Sequence, residues 1–306
     1  MVHNQSLFYP CLGGVRDLAF LRLSGVGLGN SFFNYFHTYV LSQKHGGRMI
    51  HPAWPSFKIG PILRRESRKR FYIGLFRVAG DEIAGVEKLV ALAKLGMKAN
   101  LVSIDEAGAS QVSSTGLNLV SSKRFTFCGL NDYRDDIRKR LLEMIRDPLP
   151  ADFSWGRSDY IGCHVRLGGD FPPAMDVAEL NRGVSNRRIP ISWYVGVLKR
   201  LKNDYPNKRI LVVSDGRPDE LQDLLALGAE LPPTTSDIGD ILTLSSASIL
   251  VGSNSTFSRW AAFFGNMPSV WIAKTDLAKE MCASDIPVSY VPVGSENSPS
   301  PIFVDQ

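Results

Sequence analysis

Three apolar runs in the second half of the sequence each stop at a polar cluster: "YIGCHVRLGGD", "ILVVSDG" and "ILVGSNSTFS". The residue types in these clusters suit an anionic ligand. Arg166 offers a planar fork of donors that never deprotonates, the geometry for a bidentate grip on phosphate. The alternative is an ion pair with Asp170 or a neighbouring loop carboxylate. Gly168 and Gly169 let a ligand approach the backbone closely, which favours binding. Asp215 can accept two N–H groups from a guanine edge, or bond a ribose hydroxyl pair. It can equally be a turn or capping residue ahead of "RPDELQDLL". Asn254, Ser255, Thr256 and Ser258, with Phe257 among them, stand where an apolar run gives way to a helical pattern. Free N–H groups at a helix start, with hydroxyls beside them, make an anion site. Plain capping needs only one such residue. His164, alternating with Cys163 and Val165, reads as a satisfied core histidine whose backbone lines the site.

These clusters need elements to hold them. The second half alternates apolar runs with helical patterns: "PISWYVGVLKRLKNDYP", "RPDELQDLLALG", "IGDILTLSSAS" and "NSTFSRWAAFFGN" predict helices, while "KRILVVSDG", "SILVGS" and "PSVWIA" predict strands. This alternation implies a parallel, doubly wound sheet, with functional groups at the carboxyl ends of its strands. In the first half, "LAFLRLSG" predicts a strand over residues 18–23. A glycine loop, "SGVGLGN", and a helix from Asn30 follow, stopped by Gly46 and Gly47. "GRMIHPAWP" predicts the next strand, completing a βαβ unit. "GDEIAGVEKLVALAKLG" and "DYRDDIRKRLLEMIRDPLP" predict two amphipathic helices, and "PLPADFSWGRSD" a linker.

The glycine loop is a poor dinucleotide fingerprint. Gly25, Gly27 and Gly29 alternate, and no acidic residue follows at the distance a ribose needs. A nicotinamide-dependent oxidoreductase is disfavoured accordingly. The loop, with Asn30, can instead close over a sugar.

Composition narrows the function classes. A 306-residue chain with 44% hydrophobic and 21% charged residues suits a globular protein of two domains. A net charge of +5 fits an anionic ligand or an anionic membrane surface. No module signature supports nucleic acid as partner. The four cysteines and five histidines are scattered, so neither a disulfide framework nor a zinc site is expected. The start of the sequence has no signal-peptide pattern, and no apolar stretch reaches spanning length, so the expected location is the cytoplasm. The basic run Arg64–Arg70 reads as a solvated face, with a peripheral membrane role as the alternative. "NRGVSNRR" (181–188) reads as a mobile basic loop able to close on an anion.

The three C-terminal clusters together resemble the three motifs of the α-1,2-, α-1,6- and protein O-fucosyltransferases. "CHVRLGGDF" is similar to their HxRxGD-type first motif and "ILVVSDG" to the second. "NSTFSRWAAFFGN" is similar to the "NSTFSWWGA" block of bacterial α-1,2-fucosyltransferases, and "GVGLGNSFFNYFHTYVLSQKHGGRM" to their "GGLGNQMFQYA" opening. The sequence departs from the pattern at Ser31, at Leu167 with the acid one residue later, and at Arg259, where an aromatic is common. Residues 52–155 carry nothing diagnostic.

The resemblance implies an α/β chain of GT-B type, two Rossmann-like domains facing across a cleft, residues 1–153 on the acceptor side and 154–306 binding the nucleotide sugar. It implies inverting transfer of fucose from GDP-fucose to a glycan acceptor, probed against other nucleotide sugars and non-catalytic binding as alternatives. No cofactor and no obligatory metal are implied. Arg166 would hold the β-phosphate, Ser255–Thr256–Phe257 the phosphate oxygens, and Asp215 the guanine. Asn30, on the loop of Gly27 and Gly29, would lie near the fucosyl carbon or leaving oxygen. Asp170 is a candidate base by position. A bacterial surface polysaccharide is the acceptor suggested by family habit.

Overall fold

The computed structural model describes residues 6–12, 19–23, 25–57, 59–63, 70–95, 98–104, 112–122, 125–150, 152–168, 170–184, 186–234, 236–275 and 280–303. The chain forms two compact α/β units, one running to Arg146 and the other beginning at Asp147.

The first unit is built from β1 (Ser6–Pro10), α1 (Leu28–Lys44), β2 (Arg48–Met49), α2 (Ile59–Leu63), α3 (Gly85–Leu95), β3 (Asn100–Ser103), β4 (Gly116–Ser121) and α4 (Arg134–Met144). Its strands form a parallel sheet in the order β2-β1-β4-β3. The βαβ unit is therefore present, but its first strand is "SLFYP" rather than residues 18–23. Among the described residues of that span, pairing is limited to an isolated bridge from Arg22 to Ser56. The reason is burial: all of β1 is buried, whereas Phe20 and Leu23 are exposed. Helix α1 is covered nearly all round, as a helix apolar on more than one face must be. Phe32 packs edge-on against both Trp54 and Phe76.

The second unit contains β5 (Ser158–Val165), α5 (Val177–Asn181), α6 (Ile191–Asp204), β6 (Arg209–Ser214), α7 (Gln222–Ala226), β7 (Ala229–Glu230), α8 (Asp237–Ser246), β8 (Ala247–Val251), α9 (Thr256–Gly265), β9 (Ser269–Trp271) and β10 (Val288–Tyr290). The sheet order is β10-β9-β8-β5-β6-β7, every pairing parallel. Counted from β5, this is the 3-2-1-4-5-6 order of the Rossmann fold, whose ligand crevice opens where the winding reverses. Here that point lies between β5 and β8.

Strand β5 shows how the sheet is filled. Ile161, Cys163 and Val165 join a core with Trp193, Val197 and Leu201 of α6. Gly162 and His164 face the other way, as the two-residue period of a strand requires. Gly162 lies against Ala247 and Leu244, where an added Cβ would stand 2.9 Å from the Ala247 methyl. Gly162→Val should therefore overpack this layer and cost about 1–3 kcal/mol in urea denaturation. An unchanged midpoint would contradict the close packing of α8 on β5.

Candidate functional site

Register places the three polar clusters in one row. Val165 pairs with Ser214, and Cys163 with Val251, so Arg166, Asp215 and Asn254 stand level at the carboxyl ends of β5, β6 and β8. Arg166 and the start of α9 thus flank the reversal point of the sheet.

The Arg166 guanidinium is held by acids. Nη1 donates to Asp215 Oδ2, and Nη2 donates to Asp170 Oδ1 at 2.7 Å. Its Cζ lies 4.8 Å from the centre of the Phe171 ring. Both readings of Arg166 meet here: it is paired in the free chain, yet it faces the site edge with its side chain 17% exposed.

Asp215 has more to do than the sequence suggests. Its Oδ1 accepts the backbone N–H groups of Leu167 at 2.8 Å and Gly168 at 3.1 Å, while Oδ2 takes the Arg166 bond. The carboxylate expected at a guanine edge is thus engaged in fixing the loop after β5. Nor does it cap the following turn, whose N-cap is Arg217. Gly168 has its own steric reason. A Cβ there would fall 2.2 Å from Asp215 Oδ2. Gly169 lies outside the described residues.

The turn after β8 combines capping with display. Ser255 is the N-cap, its Oγ accepting the Phe257 N–H at 3.2 Å. The Ser255 N–H bonds the Ser253 carbonyl at 2.8 Å and the Phe257 N–H is taken by the cap, so what the turn chiefly keeps for an anion is the helix dipole. Thr256 and Phe257 are half-buried beside it. Asn254 does not present its amide to the crevice: Nδ2 donates to the carbonyls of Gly183 at 2.9 Å and Val184 at 2.8 Å.

The alternation of His164 with Cys163 and Val165 predicts a core residue, and the ring is buried. The hydroxyl of Ser253, which sequence reasoning passed over, is its partner together with Ser258. Nδ1 lies 2.5 Å from Ser258 Oγ and 2.8 Å from Ser253 Oγ, and the ring leans on Phe257 at 5.0 Å. This cluster braces β5 against the start of α9. Burial, reinforced by Arg166 and partly offset by Asp215, lowers the His164 pKa to about 3.

Gly27, Gly29 and Asn30 belong to the first unit. Gly27 is the N-cap of α1, and Gly29 and Asn30 lie in its first turn rather than in an open loop. The Leu28 N–H bonds Tyr72 Oη at 3.0 Å, and Asn30 Oδ1 is buried without a hydrogen-bond partner. The basic run 64–70 lies outside the described residues except for Arg70. All four cysteines are free thiols. Among the described residues, no group of three or more His, Cys, Asp or Glu is arranged to hold a metal, and no helix is long and apolar enough to cross a membrane.

No protein-family model matches the sequence, and no curated protein does. Solved structures do resemble the chain. Fucosyltransferase NodZ from Bradyrhizobium is similar at 12% identity over 86% of this chain and 94% of that one, with a TM-score of 0.46. NodZ alpha-1,6-fucosyltransferase co-crystallized with GDP shares 12% identity over 86% and 93%, at 0.47. POFUT1 in complex with GDP shares 12% over 87% and 98%, at 0.45. No residue of this protein takes its role from these similarities.

The buried histidine generates a pH dependence. The unfolded chain takes up a proton at His164 near the ordinary pKa of about 6.5, whereas the folded chain resists it until about pH 3. Between these values the unfolded state binds more protons, so stability falls as pH drops, by about 1.4 kcal/mol per pH unit at most. His164→Gln should flatten the decline of Tm between pH 7 and pH 4. Parallel curves for the two proteins would refute this account.

Proposed function

We propose that this protein is an inverting glycosyltransferase that moves fucose from GDP-fucose to a glycan acceptor. The observation that carries the reading is the placement of Arg166 and the Ser255–Phe257 helix start on either side of the reversal point of a Rossmann-ordered sheet. That is where such a sheet binds a nucleotide, and the two groups offer a fixed cation and the positive end of a helix dipole to one diphosphate. The motif resemblance supplies the identity of base and sugar.

In this scheme the acceptor hydroxyl oxygen forms a bond to C1 of fucose on the face opposite the leaving group. The bond from C1 to the β-phosphate oxygen breaks, and its electron pair stays on GDP. Charge therefore grows on the phosphate, where donors already in place lower the barrier. Asp215 holds the Nη1 side of Arg166 in position. Asp170, the more exposed of the two acids, is the partner that yields to phosphate. Once released, Asp170 is our candidate to take the acceptor proton. Asn30, with Gly27 and Gly29, is the candidate of the first unit for serving the sugar. An α-1,2 linkage follows from the likeness of "NSTFSRWAAFFGN" to bacterial enzymes, and a surface polysaccharide made at the cytoplasmic face of a membrane is the acceptor we favour.

Incubation with GDP-fucose and a mixed glycan array, reading GDP release, tests the scheme. Transfer from GDP-fucose but not from UDP- or ADP-sugars is expected. Arg166→Ala should lower turnover by about 100-fold or more with the fold retained by circular dichroism. Near-normal turnover in that variant would remove Arg166 from the mechanism.

A further inference from the structure

The proposed site has a charge problem. One guanidinium, Arg166, stands against two carboxylates, Asp215 and Asp170. A diphosphate brought to that cluster meets excess negative charge, and the partial charge of one helix start does not outweigh it. Further positive charge is needed close by.

Arg259, in the first turns of α9, has it. The residue is 1% exposed. Its Nη2 donates to Asn254 Oδ1 at 3.2 Å and to Thr275 Oγ1 at 2.6 Å, both neutral acceptors. Its Nε and Nη1 are buried without a hydrogen-bond partner. The plane rests 4.8 Å from the Trp271 ring centre, a cation–π contact that only partly replaces lost hydration. No carboxylate among the described residues pairs with it. Burial lowers its pKa to about 10, which still leaves it charged at neutral pH. Arg140, in the first unit, shows the usual arrangement for a buried guanidinium: Glu82, Asp81 and Glu143 surround it. A buried cation with no counter-ion is unfavourable unless a ligand supplies the anion.

The contacts of Arg259 place it at the crevice. Asn254 stands level with Arg166, and Thr275 follows the end of β9. The turn at Gly183 and Val184 lies against both acceptors of Arg259, tied down by the Asn254 amide and packed so closely that a Cβ on Gly183 would lie 2.6 Å from Thr275 Cγ2. Because Asn254 Oδ1 faces a group that can only donate, its Nδ2 must face the loop carbonyls. Displacing those carbonyls would free two amide hydrogens beside the idle Arg259 donors.

We infer that Arg259 and the Asn254 amide form a covered oxyanion site, which takes a phosphate of a diphosphate ligand when the Gly183–Val184 turn lifts. The ligand class is a nucleoside diphosphate or inorganic pyrophosphate. The inference rests on the nucleotide-sugar reading for its nucleotide but not for its anion.

Thermal shift with pyrophosphate and with GDP, on the whole protein, separates the two. Both ligands should raise the Tm of the wild type. Arg259→Met should leave the ligand-free Tm within a few degrees, since it removes an unpaired charge, yet bind pyrophosphate at least tenfold more weakly by calorimetry. Arg259→Lys should recover part of that loss. Wild-type affinity in the Met variant overturns the inference while leaving the function reading intact. So does a Met or Lys variant that fails to fold without ligand, because Arg259 would then be structural. A wild type that binds pyrophosphate but not GDP supports the site and refutes the GDP-sugar reading. A wild type that binds neither refutes both.

Discussion

The carboxylate of Asp215 is the contact on which the rest of the crevice depends. It reaches from the end of β6 to the loop after β5, takes two backbone N–H groups, and orients the guanidinium of Arg166. Each bond alone is modest, but a charged acceptor shared among three donors fixes a loop that has no secondary structure of its own. Without it Arg166 would keep only the more exposed Asp170 and the Phe171 ring, and part of the entropy of ordering the guanidinium would fall on ligand binding instead.

On the other side of β5, neutral chemistry does the same work. The His164 ring and the hydroxyls of Ser253 and Ser258 tie the strand to the start of α9 with no net charge. The contrast is physical. A buried contact far from water is best made with neutral partners, whereas a contact at the crevice edge tolerates ions that can be exchanged. Phe257 closes the gap between the two regimes, its ring tilted against His164 while it lies in the first turn of the helix.

How far the sequence could be read follows from the range of each interaction. Helices α6, α8 and α9 and strands β5, β6 and β8 are legible because their apolar patterns and stops are local. Ser255 at the start of α9 and Asn266, left-handed at its end, are both visible in "NSTFSRWAAFFGN". Strand β1 was hidden by its shortness, and residues 18–23 look like a strand because alternation says nothing about whether a partner covers it. The bonds of Asp215 and the loop contacts of Asn254 span dozens of residues, and no spacing rule encodes them. Arg259 was visible only as an odd residue in an aromatic position. Its solitude appeared once the tertiary neighbours were known.

The missing side chain of Gly168 couples the histories of two positions far apart in the chain. With Asp215 Oδ2 filling the space a Cβ would take, residue 168 cannot gain a methyl unless residue 215 retreats. A shorter residue at 215 would make room, but would surrender the hold on Arg166. Drift at either position is therefore conditional on the other. Relatives that place alanine or serine at 168 should carry a different anchor for the arginine.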